Sequence, residues 1–192
     1  PEPFLSTTIG RYGNRIAKGH FTLYGEEHQL TINNGPNSLH GGPTGFHARV
    51  WDAVQPNPAT IIFNYTSADG EEGFPGKLEV EMTYRLEEEI NALVIEYRAT
   101  TDKATVVNLT NHGFFNLAGI ANPTPTVLDQ TITINADFYV PIDEVSIPTG
   151  EILKVEGTPM DFRTPHTIGE RIDEPFQQLV HGAGYDHCYV LN

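Results

Sequence analysis

The stretch from Lys77 to Ala99 constrains the fold more than any other. Leu78, Val80, Met82, Tyr84 and Leu86 alternate with Lys77, Glu79, Glu81, Thr83 and Arg85. After the turn Glu87-Glu88-Glu89-Ile90-Asn91, the same alternation resumes through Leu93, Ile95, Tyr97 and Ala99. A period of two sends successive side chains to opposite faces, so the pattern predicts half-buried antiparallel strands with one apolar face. The acidic triplet reads as a solvated hairpin end that discourages edge pairing. The 18 glycines and 14 prolines among 192 residues, with 10% aromatics, suit a many-turned all-β chain better than a helical one. The length is enough for one domain with its own core. These observations predict an all-β protein built as an antiparallel β-sandwich.

Further strands are predicted along the chain. Phe21 to Tyr24 and His28 to Ile32 flank a turn at Gly25-Glu26-Glu27, and Phe46 to Val54, containing Trp51, reads as a strand broken at Pro56-Asn57-Pro58. Thr60 to Thr66 reads as the next strand. Asn122-Pro123-Thr124-Pro125 reads as a loop, with short strands over Gln130 to Asn135 and Asp137 to Ile142. The helical signal is confined to Thr167-Ile168-Gly169-Glu170, a capping-box match worth a turn or two. The chain begins without Met or a signal-like segment and stops inside the apolar run Cys188-Tyr189-Val190-Leu191, where a strand needs a partner. The expectation is a fold incomplete at both ends.

Charge narrows the partners. Twenty-five acidic residues against 11 basic ones give a formal charge of −14. That balance argues against nucleic acid, which needs clustered Lys and Arg, and against acidic lipid surfaces. No apolar run approaches the ~20 residues of a membrane span. A neutral small molecule fits best. The single Cys188 cannot form an internal disulfide, and nothing in the sequence fixes an oligomeric state. The absence of H-x-H and H-E-x-x-H patterns disfavours a protein-ligated metal. Asp69, Glu71 and Glu72 raise a calcium site, but their spacing is not the twelve-residue EF-hand loop, and a solvated turn is favoured.

The candidate chemistry centres on Val106 to Gly119. It reads as a buried strand over Val106 to Thr110, turning polar at Asn111-His112, with Gly113 permitting close approach and Phe114-Phe115 as an apolar floor. Taken alone, His112 fits a core histidine. A second histidine, His40, lies in Asn37-Ser38-Leu39-His40-Gly41-Gly42, and Arg11, Asn14 and Arg15 lie in a glycine-bearing segment before it. Arg11 reads as a solvated loop residue. Asp186-His187 near the end has no G-x-S-x-G partner segment for a hydrolytic relay. His20, His28, His166 and His181 are given no site role.

Asn14-Arg15-Ile16-Ala17-Lys18-Gly19, Asn37 to Gly42, Thr110-Asn111-His112 through Phe115-Asn116-Leu117, and Gly184-Tyr185-Asp186-His187 occur in that order. In this order and spacing the chain resembles the aldose 1-epimerase (galactose mutarotase) family from Ile9 to Leu191. The resemblance implies one mutarotase-like domain over residues 1–192, part of a twisted supersandwich and a fragment of a longer chain. It implies interconversion of the α and β anomers of a hexopyranose such as galactose or glucose. His112 is then the general acid at the ring oxygen, a role suited to imidazole because its ordinary pKa is about 6.5. His40 hydrogen-bonds near the ring oxygen or C1 hydroxyl, Asn14, Arg15 and Asp186 bind the sugar, and His187 is a structural neighbour. The chemistry implied needs no cofactor, metal or covalent intermediate. The family's base is a glutamate near the end of a longer chain, and no acidic residue here matches it, Glu71 and Glu72 included. Two alternatives stand beside this: a non-catalytic sugar-binding β-sandwich, and a phosphosugar epimerase, which the scarcity of basic residues disfavours.

Overall fold

The computed structural model describes residues 4–119, 121 and 126–192, so the loop read at Asn122-Pro123-Thr124-Pro125 lies outside the described residues. The chain divides into two compact units, Pro1–Gly113 and Phe114–Asn192. The named strand pairings are all antiparallel, in keeping with the all-β, antiparallel class expected.

The first unit is built on a four-stranded meander of Asp52–Asn57, Thr60–Ser67, Leu78–Glu87 and Ala92–Thr101, in that spatial order. Its register sets Val80 opposite Ala99, Met82 opposite Tyr97 and Leu86 opposite Leu93. Leu78, Val80 and Met82 are buried, as the alternation requires, but Leu86 and Leu93 are 54% and 51% exposed. The reason is the position of the cover. Phe46, Leu78 and Val80 form the buried cluster, with Trp51, Tyr65 and Leu109 against it, whereas the Leu86–Leu93 pair sits at the hairpin end. The strand at Trp51 also starts later than predicted, because Phe46–Ala48 is a 3-10 turn and pairing begins at Asp52. Pro56 does not end it. The register shifts between Val54 and Asn57, which absorbs the missing amide donor.

Two readings of polar residues are overturned. Arg11, expected in solvent, is 2% exposed. Its guanidinium donates to Ser67 Oγ (2.9 Å) and to the carbonyls of Ala68 (2.9 Å), Pro75 (2.8 Å) and Gly76 (2.8 Å). The acidic loop that follows Ser67 wraps this cation, so it is not a merely solvated turn. Glu71 accepts from the Tyr65 hydroxyl (2.6 Å) and Ser67 Oγ (2.8 Å). Burial, reinforced by that bond to Glu71, pushes the Tyr65 phenol up to about 12. Asp69 accepts from the Gly76 amide (2.6 Å) and from the Lys103 ammonium. Burial pushes the Glu72 carboxyl up, but donors from Thr44 and Thr31 outweigh it and hold the group below its ordinary value.

The second unit carries a three-stranded sheet with Ala136–Tyr139 between Leu153–Lys154 and Tyr189–Leu191. The final apolar run, expected to lack a partner, is thus paired within the unit. Tyr139, Val155, Met160 and Leu179 form its core. Its α-helix is Gln177–Gly182, which the sequence reading missed. The stretch at Thr167 gives only a 3-10 turn: Thr167 makes no side-chain cap, and Glu170 binds His166 Nδ1 at 3.0 Å. His181 has a structural role in the same unit, bonding the Ile142 carbonyl through Nδ1 at 2.8 Å.

Candidate active site

His112 is delivered by a very short ladder. Thr110 and Asn111 pair with Ile9 and Thr8, after which the His112 amide donates to the Thr7 carbonyl and its carbonyl accepts from the Ser6 amide, both at 2.9 Å. Residues 106–109 are not the continuous buried strand expected. They run against the irregular Gly10 to Gly13 segment, with the Asn108 amide donating to Arg11 O (3.0 Å) and the Gly13 amide to Asn108 O (2.7 Å). Sinking the Arg11 side chain takes that segment out of a regular ladder. Phe114 and Phe115, expected as an apolar floor, are 53% and 78% exposed.

His40 arrives from a second two-residue ladder, Arg15 opposite Leu39 and Ile16 opposite Ser38. Asn33 brackets Leu39 like a missing strand, its side chain donating to Leu39 O (2.9 Å) and accepting the Leu39 amide (2.7 Å). The buried Asn37 accepts the Lys18 amide at 3.0 Å. Gly41 then passes so close to Gly10 that a Cβ would stand 1.9 Å from the Gly10 carbonyl oxygen, and its φ of 82° is left-handed. Glu72 braces the loop after it, accepting the Thr44 amide at 2.9 Å and the Thr44 hydroxyl.

These ladders bring His40 and His112 together. Their ring centroids are 5.1 Å apart and the planes cross at 86°. Phe4 packs edge-on against His40 (4.7 Å) and lies 5.8 Å from His112. It also meets a third histidine, His47, at 4.7 Å. Burial holds His47 below its ordinary pKa, with Glu72 pulling the other way. Two rings of this cluster, Phe4 against His112 and His47 against Phe4, escaped the sequence reading. Phe4 sits in a patternless stretch and carries no signal, whereas His47, seven residues after His40, was at least visible as a ring near the motif.

Asn14 and Arg15 lie beside His40. The Asn14 amide donates to His40 Nδ1 and the His40 amide to Asn14 O, each at 3.0 Å. Arg15 is steered by two asparagines, donating to Asn34 Oδ1 (3.0 Å) and Asn14 Oδ1 (3.2 Å). Asp186 stands in the second unit, exposed, with its amide donating to His187 Nδ1 at 3.3 Å. His187 Nε2 in turn bonds Gln178 Oε1 at 3.1 Å, and burial lowers its pKa. His187 therefore holds the Asp186 backbone. Among the described residues no group of three or more His, Cys, Asp and Glu is arranged to hold a metal ion, and no helix is long and apolar enough to cross a membrane.

The structure thus defines an antiparallel all-β protein that converges two histidines from separate ladders, and comparison with known proteins gives its family. The aldose 1-epimerase family pattern matches residues 1–192. The chain is 47% identical to the galactose mutarotase of Bos taurus over 99% of its length and 43% identical to the aldose 1-epimerase of Escherichia coli K12 over 98%. It superposes on the galactose 1-epimerase of Lactobacillus acidophilus with a TM-score of 0.90 at 33% identity, covering 100% of this chain and 56% of that one. The chain belongs to the aldose 1-epimerase family. It spans 53% of the length of each of these two curated relatives, about half.

Proposed function

We propose that this chain serves the interconversion of α and β anomers of a hexopyranose, galactose or glucose being of the right class. The observation that carries the reading is the meeting of His40 and His112, rings 5.1 Å apart, at the convergence of two independent ladders. Anomerisation needs one group to give a proton to the ring oxygen as the C1–O5 bond breaks, and another to take the C1 hydroxyl proton. The open aldehyde then rotates about C1–C2 and recloses on its other face, with both protons returned. His112 is the acid at the ring oxygen. His40 hydrogen-bonds near the ring oxygen or C1 hydroxyl. Asn14 and Arg15 contribute donors to the sugar hydroxyls, and Asp186 keeps the hydroxyl-binding role its motif implies.

The acceptor of the C1 proton is not assigned among these residues. Glu71 and Glu72 are each committed to structural donors, Tyr65 and Ser67 for one and Thr44 for the other. Polarimetry on freshly dissolved α-D-galactose, corrected for spontaneous mutarotation, tests the reading in the intact protein that contains residues 1–192. His112→Asn is expected to lower kcat by roughly 10²–10⁴-fold, the usual share of a positioned acid or base. Turnover near that of the unsubstituted protein would assign the acid to another group.

A further inference from the structure

We infer that the main chain of Asn14 fixes His40 in the neutral Nε2–H tautomer, which makes His40 a hydrogen-bond donor to the sugar and leaves proton transfer to His112. The inference deepens the anomerisation reading and rests on it for the identity of the ligand. Its physical basis does not.

A backbone amide can only donate. The Asn14 amide lies 3.0 Å from His40 Nδ1, so that nitrogen supplies a lone pair and the ring proton of the neutral side chain resides on Nε2. The bond is one arm of a two-point clamp, because the His40 amide donates back to the Asn14 carbonyl at 3.0 Å. The clamp directly extends the ladder that pairs Arg15 with Leu39. Protonating Nδ1 sets N–H against N–H, and flipping the ring sets Cδ2–H there, so either breaks the clamp.

Local backbone geometry shows that the arrangement is built in. Asn14 and His40 both hold left-handed conformations, φ 64° and 54°. Such conformations are uncommon outside glycine, and Asn and His are among the residues that tolerate them best. The left-handed turn at Asn14 places its amide at His40, while its side chain remains available to Arg15, which it holds at 3.2 Å. One residue thus sets the tautomer of the histidine with its main chain and steers the neighbouring guanidinium with its side chain. Asn14 is in this respect a positioning residue, whatever further contact its side chain makes with the sugar.

A division of labour follows. A histidine held as an Nε2–H donor can stabilise developing charge on a sugar oxygen but cannot accept the C1 proton at Nδ1. The motif reading assigns the ring-oxygen proton to His112, whose main chain the bonds with Thr7 and Ser6 place in the ladder.

The test is long-range 1H–15N correlation of the imidazoles in the intact protein at neutral pH, with His40 assigned by its loss in His40→Gln. The expected pattern is a single Nε2–H tautomer with a coupling across the hydrogen bond to the Asn14 amide. Asn14→Gly, which keeps the amide and the left-handed φ, retains the pattern. Asn14→Val, which disfavours that φ, gives tautomer averaging. An Nδ1–H or averaged spectrum in the unsubstituted protein overturns the inference, and needs no variant to fold. Kinetically, His40→Gln keeps a side-chain N–H donor and is expected to retain at least ten-fold more kcat than His112→Gln. Equal losses overturn the division of labour. Absence of anomerisation in the unsubstituted protein would sink the function proposed above while leaving the tautomer measurement fully readable.

Discussion

Arg11→Ala is expected to destabilise the first unit by about 4 kcal/mol, within the ~3–5 kcal/mol range for removing one partner of a buried charged network. The magnitude follows from what the side chain holds. Its guanidinium spans Ser67 Oγ and the carbonyls of Ala68, Pro75 and Gly76, all at 2.8–2.9 Å, and it is 2% exposed. Truncation strands three carbonyls, and each unmet buried acceptor costs roughly 1 kcal/mol or more. It also removes a cation near Glu71 and Asp69, two carboxylates that favour the charged guanidinium against the burial that opposes it. Against a domain stability of about 5–15 kcal/mol, such a loss is large, about a thousand-fold in the folding equilibrium. Arg11→Lys keeps the charge but not the fork, and should lose roughly half as much. Urea unfolding followed by Trp51 fluorescence measures both, since Trp51 packs on Phe46 and Tyr65 in the same unit. A loss below about 1 kcal/mol for Arg11→Ala would refute the reasoning, because it would mean water replaces the guanidinium at no cost.

Gly41→Ala should cost about 3 kcal/mol or more, since its Cβ meets the Gly10 carbonyl at 1.9 Å and the φ of 82° is left-handed. The accompanying sign is loss of the His40–His112 ring contact in nuclear Overhauser spectra, and an unchanged contact would contradict the account of the close approach. Acid should also weaken the fold. His47 and His187 have pKa values lowered by burial, so the folded state binds fewer protons than the unfolded chain, whose histidines titrate at the ordinary 6.5. Their contribution is complete above that value and is lost as pH falls below it, so the urea midpoint should drop between about pH 7 and 5. A flat midpoint across that window would show that these rings charge as easily folded as unfolded.

The sequence by itself determined the class of fold and the identity of the histidines. Alternation at Leu78, Val80 and Met82 is enforced by the pleat, and it survives in the structure because a period of two has no other way to bury one face. A hairpin around Gly25 was legible for the same local reason, but its bounds were not: Tyr24 and Gly25, φ 50° and 86°, make the turn, and the second strand is Glu26–Gln29 rather than His28 to Ile32. His40 and His112 stood out because their flanking residues form ordered motifs. What only the tertiary structure decided were the long-range pairings. Arg11 reads as a solvated cation until the Ser67 to Gly76 loop folds over it, and no local pattern announces acceptors more than fifty residues away. Leu86 and Leu93 match the alternation perfectly yet are exposed, because burial depends on what covers the sheet and not on the strand. Phe4 packs against His40 only because the Thr8–Ile9 ladder brings it there. The tautomer of His40 is likewise set by an amide twenty-six residues away, a contact that spacing along the chain does not encode.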